Sequence, residues 1–494
     1  MSLITVSNLT FKYEGYGEKI FDNVSFQFDT DWKLGLVGRN GRGKTTFLKL
    51  LMREYEYHGN ITSPVPFGYF PYPVENPGRI TEDVIRGFGL DRENWELCRE
   101  LNLLLLPDDI LGRPFGTLSA GERTKVLIAA LFLRQDRFLL FDEPTNHLDY
   151  QGKRVLSGYM RSKRSFILVS HDRMFLDRTV DHILSINRAN IEIQHGNFSQ
   201  WLVNKERRDE SEIAQNRRLR GEIARLKAAS RRASGWSDRV EATKIGGGAA
   251  KGYIGHKAAK MMKRSKNLET RKNAAIERKS SLLLNIEKSE ELKISPMTYH
   301  SDVLAELSGV YIEYGGRRVV GGINFTVRRG ERVALLGRNG CGKSSLIKLV
   351  AGMDVPHGGL ARVYSGVKIS LAPQETSHLR GNIREFARDA ETDMPLFFAI
   401  LDKLGVEKPQ FEMDMEELSE GQRKKVLIAR SLSESAHLYV WDEPLNYIDI
   451  QSRIQIERLI LEYSPTMLFV EHDEAFVKNI ATEEVIMDER CGNH

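Results

Sequence analysis

Two short runs in this sequence, GRNGRGKTT at 38–46 and GRNGCGKSS at 337–345, carry the residue types needed to hold a polyphosphate. Each follows a short apolar stretch and precedes a segment of helical character, the setting in which GxxxxGK[ST] is informative. Gly38, Gly41 and Gly43 let backbone N–H groups wrap phosphate oxygens, and the helix that follows turns its positive end toward them. Lys44 is placed to reach the β and γ phosphates and Thr45 to ligate Mg²⁺, with Asn40 and Thr46 in the same run. Gly337, Asn339, Gly340, Gly342, Lys343, Ser344 and Ser345 repeat the arrangement. The chemistry that follows is ATP binding, with Mg²⁺ as cofactor.

Acids and histidines complete a hydrolytic set. Asp142 and Asp442 end apolar runs, where a carboxylate is costly unless it serves a cation. They join Thr45 and Ser344 as metal-binding candidates. Glu143 and Glu443 come next, and a carboxylate there can polarise the water that attacks the γ-phosphate. His171 and His472 follow further apolar runs and are candidates for a γ-phosphate contact.

The elements that position these residues are legible because the chain repeats itself. LSAGERTKVLIA at 118–129 recurs as LSEGQRKKVLIA at 418–429, and LLFDEPTNHLD at 139–149 as YVWDEPLNYID at 439–449. Lys44 to Asp142 spans 98 residues and Lys343 to Asp442 spans 99. Continuous apolar runs at 33–37, 137–141 and 165–169 read as strands buried on both faces. Functional residues then sit at the carboxyl ends of those strands, where open α/β sheets bind ligands. The expected fold is α/β: two tandem P-loop NTPase domains, at 1–200 and 300–494, joined by a long α-helical hairpin at 201–299.

That middle segment has its own character. It holds no proline from Gln200 to Ser295, and Met261, Leu268, Ala275 and Leu282 recur every seven residues. A glycine-rich stretch at 245–252 suggests a tip loop at about 234–256. Residues 205–293 contain 24 Lys and Arg against 12 Asp and Glu, although the whole chain is only +5. Such asymmetry marks a polyanion-binding element on an otherwise acidic machine. Lys244, Lys251, Tyr253, His256 and Lys257 are the RNA-binding candidates at the tip, combining phosphate neutralisation with base stacking. Cys98, Cys341 and Cys491 are widely separated and odd in number, which argues against a disulfide framework and fits a reducing cytosol. No apolar run is long enough to span a bilayer and no signal peptide is read, so a cytoplasmic protein without a membrane role is expected.

Together these motifs resemble the ATP-binding cassette superfamily, and LSAGE and LSEGQ carry the resemblance. In that family the signature Ser and Gly bind ATP held by the opposite cassette. The resemblance therefore implies that Ser419 and Gly421 complete the first site, and Ser119 and Gly121 the second. It also implies adenine stacking by Tyr13 and Tyr314, and a place near Mg²⁺ and the attacking water for Gln374. The first half departs from this pattern with Tyr72 where a glutamine belongs. Ala120, Glu420 and Glu471 are further departures, so the two sites are expected to be unequal. Two cassettes with a basic helical linker resemble the ABC-F group, and HGNFSQW, AAKMMKRSKN and HLYVWDEPLNYIDI are similar to its Lsa-type antibiotic-resistance members. The resemblance implies binding of the closed, ATP-bound form to the exit-tRNA site of the bacterial 70S ribosome. There the tip would lie beside P-site tRNA and 23S rRNA near the peptidyl-transferase centre. It further implies protection against lincosamides, pleuromutilins and streptogramin A, release on hydrolysis, and a monomer off the ribosome. A housekeeping translation factor and the ATPase subunit of a drug exporter are the alternatives.

Overall fold

The computed structural model describes residues 2–487 except 15–18, 88–93, 135, 147, 188–190, most of 212–293, 339, 391 and 407. The chain divides into two units, 1–199 with 291–494, and 200–290. Both expected nucleotide-binding halves therefore lie in one unit. The candidates Lys244, Lys251, Tyr253, His256 and Lys257 lie outside the described residues, as does Asn339.

Among the described residues the first half contributes nine strands: β1 (Leu3–Phe11), β2 (Phe21–Asp29), β3 (Lys33–Val37), β4 (His58–Thr62), β5 (Phe67–Phe70), β6 (Phe138–Asp142), β7 (Phe166–Val169), β8 (His182–Ile186) and β9 (Ile191–His195). The second contributes β10 (Val303–Tyr314), β11 (Arg317–Arg328), β12 (Arg332–Leu336), β13 (His357–Val363), β14 (Ile369–Ala372), β15 (Leu438–Asp442), β16 (Met467–Val470) and β17 (Glu483–Ile486). The central sheets run β5-β6-β7-β3-β8-β9 and β14-β15-β16-β12-β17. They are parallel apart from the β8–β9 edge. A small antiparallel sheet, β2-β1-β4 or β11-β10-β13, accompanies each.

The apolar runs become central strands because they can be covered on both faces. Phe138, Leu140, Ile167 and Val169 pack with Phe47 and Leu48 of the helix Lys44–Leu51. Trp441, Phe469 and Tyr439 pack with Val426 and Ile428 of the helix Glu420–Ser433. Cores on both sides fix the strand ends, and the residues that follow β3, β6 and β7, or β12, β15 and β16, converge on one edge.

Candidate active sites

Each phosphate-binding loop turns into its helix through a glycine in the left-handed region, Gly43 at φ 85° and Gly342 at φ 89°. A Cβ on Gly342 would come within 2.2 Å of Val320, so only glycine closes this turn without displacement. In the first half Lys44 Nζ donates to the carbonyls of Gly38 (2.7 Å) and Arg39 (3.2 Å) and to Asn40 Oδ1 (3.2 Å). Burial lowers the Lys44 pKa, against the pull of Asp449, Glu143 and Asp142. In the second half Lys343 Nζ donates to the carbonyls of Gly337 and Arg338, at 2.9 Å each. Both ammonium groups are thus held over the loops where the expected phosphates would lie.

The metal candidates meet as hydroxyl–carboxylate pairs. Thr45 Oγ1 donates to Asp142 Oδ2 at 2.7 Å, and Ser344 Oγ to Asp442 Oδ1 at 3.2 Å. Hard oxygen donors in this pairing fit Mg²⁺ bound by a few protein ligands together with substrate phosphate. Tyr69 donates to the same Asp142 oxygen at 3.2 Å. Burial, then Asp142, pushes the Tyr69 hydroxyl well above its usual pKa.

Glu143 and Glu443 share an uncommon backbone, with φ of 51° and 46°. Left-handed φ at two equivalent non-glycine positions is strain kept by the surrounding structure, a feature that clusters at functional sites. Their side chains differ. Glu143 accepts from the His171 backbone N–H at 3.2 Å, and His171 Nε2 lies 3.3 Å from an Oε1 that has no aligned donor. Burial first and Asp142 second raise Glu143 to a pKa of about 7. Burial also holds His171 well below its usual value, helped by Lys44 and Arg453, so its imidazole is neutral at pH 7. In the second half Glu443 accepts from Gln374 Nε2 (2.9 Å) and Asn446 Nδ2 (2.9 Å) and shares a hydrogen bond with His472 Nε2 (3.0 Å). Burial alone would raise Glu443; its bond to His472 and the Lys343 charge outweigh burial and hold it below the usual carboxylate value.

Gln374 therefore sits on the second glutamate, and no hydrogen bond joins it to Ser344 or Asp442. Its counterpart Tyr72 is 43% exposed. Tyr13 and Tyr314 lie beside the loop helices, their hydroxyls 2.9 Å from Thr46 Oγ1 and 3.3 Å from Ser345 Oγ.

Ser119 and Ser419 cap the helices Ala120–Leu133 and Glu420–Ser433, each through a capping box with Glu122 or Gln422. The two halves touch where one composite site requires it. Asn40 Nδ2 donates to the Tyr447 carbonyl at 2.9 Å, and Arg39 Nε to Gln451 Oε1 at 3.0 Å. A Cβ on Gly421 would lie 3.3 Å from Asn40 Nδ2 and 2.5 Å from the Tyr447 carbonyl oxygen. The first loop and the second signature are thus in contact. At the second site Lys153 Nζ donates to the His472 carbonyl at 3.2 Å, and no hydrogen bond among the described residues joins Ser119 or Gly121 to Lys343 or Ser344.

Sequence reasoning missed several members of these sites. Lys424 is 1% exposed and donates to the carbonyls of Gln374 and Glu443. Arg173 of the first half pairs with Glu457 and Asp473 of the second, and Arg178 with Glu474. Arg453 pairs with Asp473 at 2.8 Å. The signal available was the mismatch between the repeats, Lys424 against Thr124 and Glu471 against Ser170.

Comparison with known proteins adds one family model and four similar proteins. Residues 21–146 and 320–446 each match the family model described as ABC transporter. The chain is 26% identical to the uncharacterized ABC transporter ATP-binding protein YfmM of Bacillus subtilis, over 98% of each. It is 24% identical to the ribosome protection protein VmlR of Bacillus subtilis (98% of this chain, 86% of that one) and 25% identical to the energy-dependent translational throttle protein EttA of Escherichia coli K12 (94% and 88%). In fold it resembles the archaeal ribosome recycling factor aABCE1, seen with the stalk protein aP1, with a TM-score of 0.66 at 19% identity over 99% of this chain and 88% of that one.

Proposed function

From the membership of this chain in the ABC transporter family of ATP-binding cassettes, and within it in the ABC-F type of ATPase, we propose that it binds the bacterial ribosome and protects it from antibiotics. The contact of Asn40 with Tyr447 beside Gly421 carries the first step, since it pairs one half's phosphate loop with the other half's signature. In this reading ATP and Mg²⁺ are held by Lys44, Thr45 and Asp142 with Ser419 and Gly421, and by Lys343, Ser344 and Asp442 with Ser119 and Gly121. Glu143 and Glu443 activate water for attack on the γ-phosphate, assisted by His171, His472 and, in the second site, Gln374. Tyr13 and Tyr314 stack on adenine. Mg²⁺ supplies charge neutralisation between the phosphates.

ATP closes the halves, and the closed form docks in the exit-tRNA site. The segment with 24 basic and 12 acidic residues between the halves reaches 23S rRNA beside P-site tRNA. Its tip, at about 234–256, clears lincosamide, pleuromutilin and streptogramin A drugs, and hydrolysis releases the protein. The protein works in the cytoplasm and is a monomer off the ribosome. The matches to relatives named for ribosome protection and for a translational throttle support ribosome action. They leave a second reading, a translation factor without drug effect.

Two measurements test this. With ATP, Glu143→Gln plus Glu443→Gln should pellet with ribosomes, and pelleting no better than the wild type without ATP refutes docking. A sensitive bacterium expressing the chain should tolerate the three drug classes and lose that tolerance when 234–256 is deleted. Unchanged susceptibility favours the translation factor.

A further inference from the structure

The two sites differ at a buried position that the family motifs do not include. Five residues into the signature helix region the second half has Lys424 and the first has Thr124. Thr124 is buried and its side chain is short. Lys424 extends its ammonium to the end of the central sheet, where it donates to the backbone carbonyls of Gln374 and of Glu443, the latter at 3.3 Å. These carbonyls belong to different elements. Gln374 follows β14 and Glu443 follows β15. One ammonium thus ties the glutamine-bearing turn to the residue that holds the catalytic carboxylate. The side chains echo the link, since Gln374 Nε2 donates to Glu443 Oε2 at 2.9 Å.

Burial disfavours the charged lysine and lowers its pKa, and the acids Glu471, Glu443 and Asp442 offset part of that cost. Glu471 is itself a departure. It is 4% exposed, and it replaces Ser170, whose hydroxyl forms a neutral pair with Thr145 at 3.1 Å. The charged set therefore occurs only in the half that has the glutamine. The half with Tyr72 has Thr124 and Ser170 instead.

We infer that Lys424 is a positioning residue for hydrolysis at the second site, its ammonium fixing Gln374 on the Glu443 carboxylate before substrate arrives. The inference rests on Glu443 acting as the water-activating group. A water-orienting amide that is already placed avoids reorganisation during the reaction, and a misplacement of about 1 Å costs as much as 100-fold in rate.

The experiment isolates each site in the full-length chain. In the Glu143→Gln background only the second site turns over, and in the Glu443→Gln background only the first. Lys424→Thr in the Glu143→Gln background should lower kcat about 10-fold or more, with KM for ATP changed less than twofold. In the Glu443→Gln background, where Gln374 has no working carboxylate to serve, the loss in kcat should be several-fold smaller. Gln374→Ala combined with Lys424→Thr should be no slower than Gln374→Ala alone, because both act through one glutamine. Without nucleotide, amide hydrogen exchange at 374–376 should speed up in Lys424→Thr while that at 166–169 stays constant. Equal loss in both backgrounds, or additive losses with Gln374→Ala, assigns Lys424 to folding and overturns the inference. Wild-type hydrolysis by the double glutamate variant would instead overturn the assignment of the glutamates.

Discussion

The contrast between Glu143 and Glu443 predicts that the two sites respond differently to acid. Glu143 is buried beside Asp142 and has a pKa of about 7. Glu443, bonded to His472 and facing Lys343, is held below the usual carboxylate value despite burial. A carboxyl group activates water only when ionised, and the pH dependence of kcat/KM reports the free enzyme. With Glu443→Gln silencing the second site, about nine-tenths of Glu143 is ionised at pH 8 and about one-tenth at pH 6, so kcat/KM should fall about 10-fold between them. With Glu143→Gln silencing the first, kcat/KM should stay within about twofold over that range. The assay is phosphate release at subsaturating ATP in constant-ionic-strength buffers. Parallel profiles for the two variants would refute the argument, because they would show that neither burial nor the His472 bond sets ionisation of the working carboxylate.

Three further outcomes follow. A carboxyl raised from 4.5 to about 7 favours the folded state when protonated, so its stabilising effect is lost as pH rises from 4.5 through 7. Glu143→Gln should therefore raise the melting temperature at pH 8 and leave it nearly unchanged at pH 4.5, as calorimetry would show. In a denaturation assay Arg173→Met should destabilise the paired halves by about 3–5 kcal/mol, because among the described residues it leaves the Glu457 carboxylate, its side chain 7% exposed, with the neutral Asn479 amide as donor and no cation in the Arg173 position. Gly421→Ala would place a methyl carbon 2.5 Å from the Tyr447 carbonyl oxygen. Phosphate release should then be lost in the Glu443→Gln background and kept in the Glu143→Gln background.

How much of this was readable beforehand depended on how local each signal is. The phosphate loops, Asp142, Glu143 and their repeats follow from residue type and spacing along one strand–turn–helix unit, and the structure places Lys44 and Thr45 at the expected helix start. The apolar run at 165–169 is one residue longer than its strand, since Ser165 adopts positive φ and Phe166 starts β7. Tyr69 on Asp142 was hidden because β5 reads as an ordinary apolar strand, and its pairing with β6 brings Tyr69 beside Leu140. Arg173 and Glu457 are 284 residues apart, and nothing local marks either as buried. Nothing local marks Lys424 and Lys425 as buried, yet both are, Lys425 against Asp449 at 2.7 Å. There the helix face could be assigned only once the opposing strand ends were known.

The pairs that join the halves have a polarity. The first half supplies Arg173 and Arg178, and the second supplies Glu457, Asp473 and Glu474. By the offset of the repeat, Arg173 corresponds to Glu474, Arg178 to Asn479 and Glu457 to Ser157. Two copies of the second half assembled in the same geometry would set Glu474 against Glu457 and Asp473. Two copies of the first would offer Arg173 only Ser157 and the Asp172 already held by Lys153. The halves behave as plug and socket, so neither can replace the other. A self-paired homodimer of either half would lack the Arg173–Glu457, Arg173–Asp473 and Arg178–Glu474 pairs that join these two.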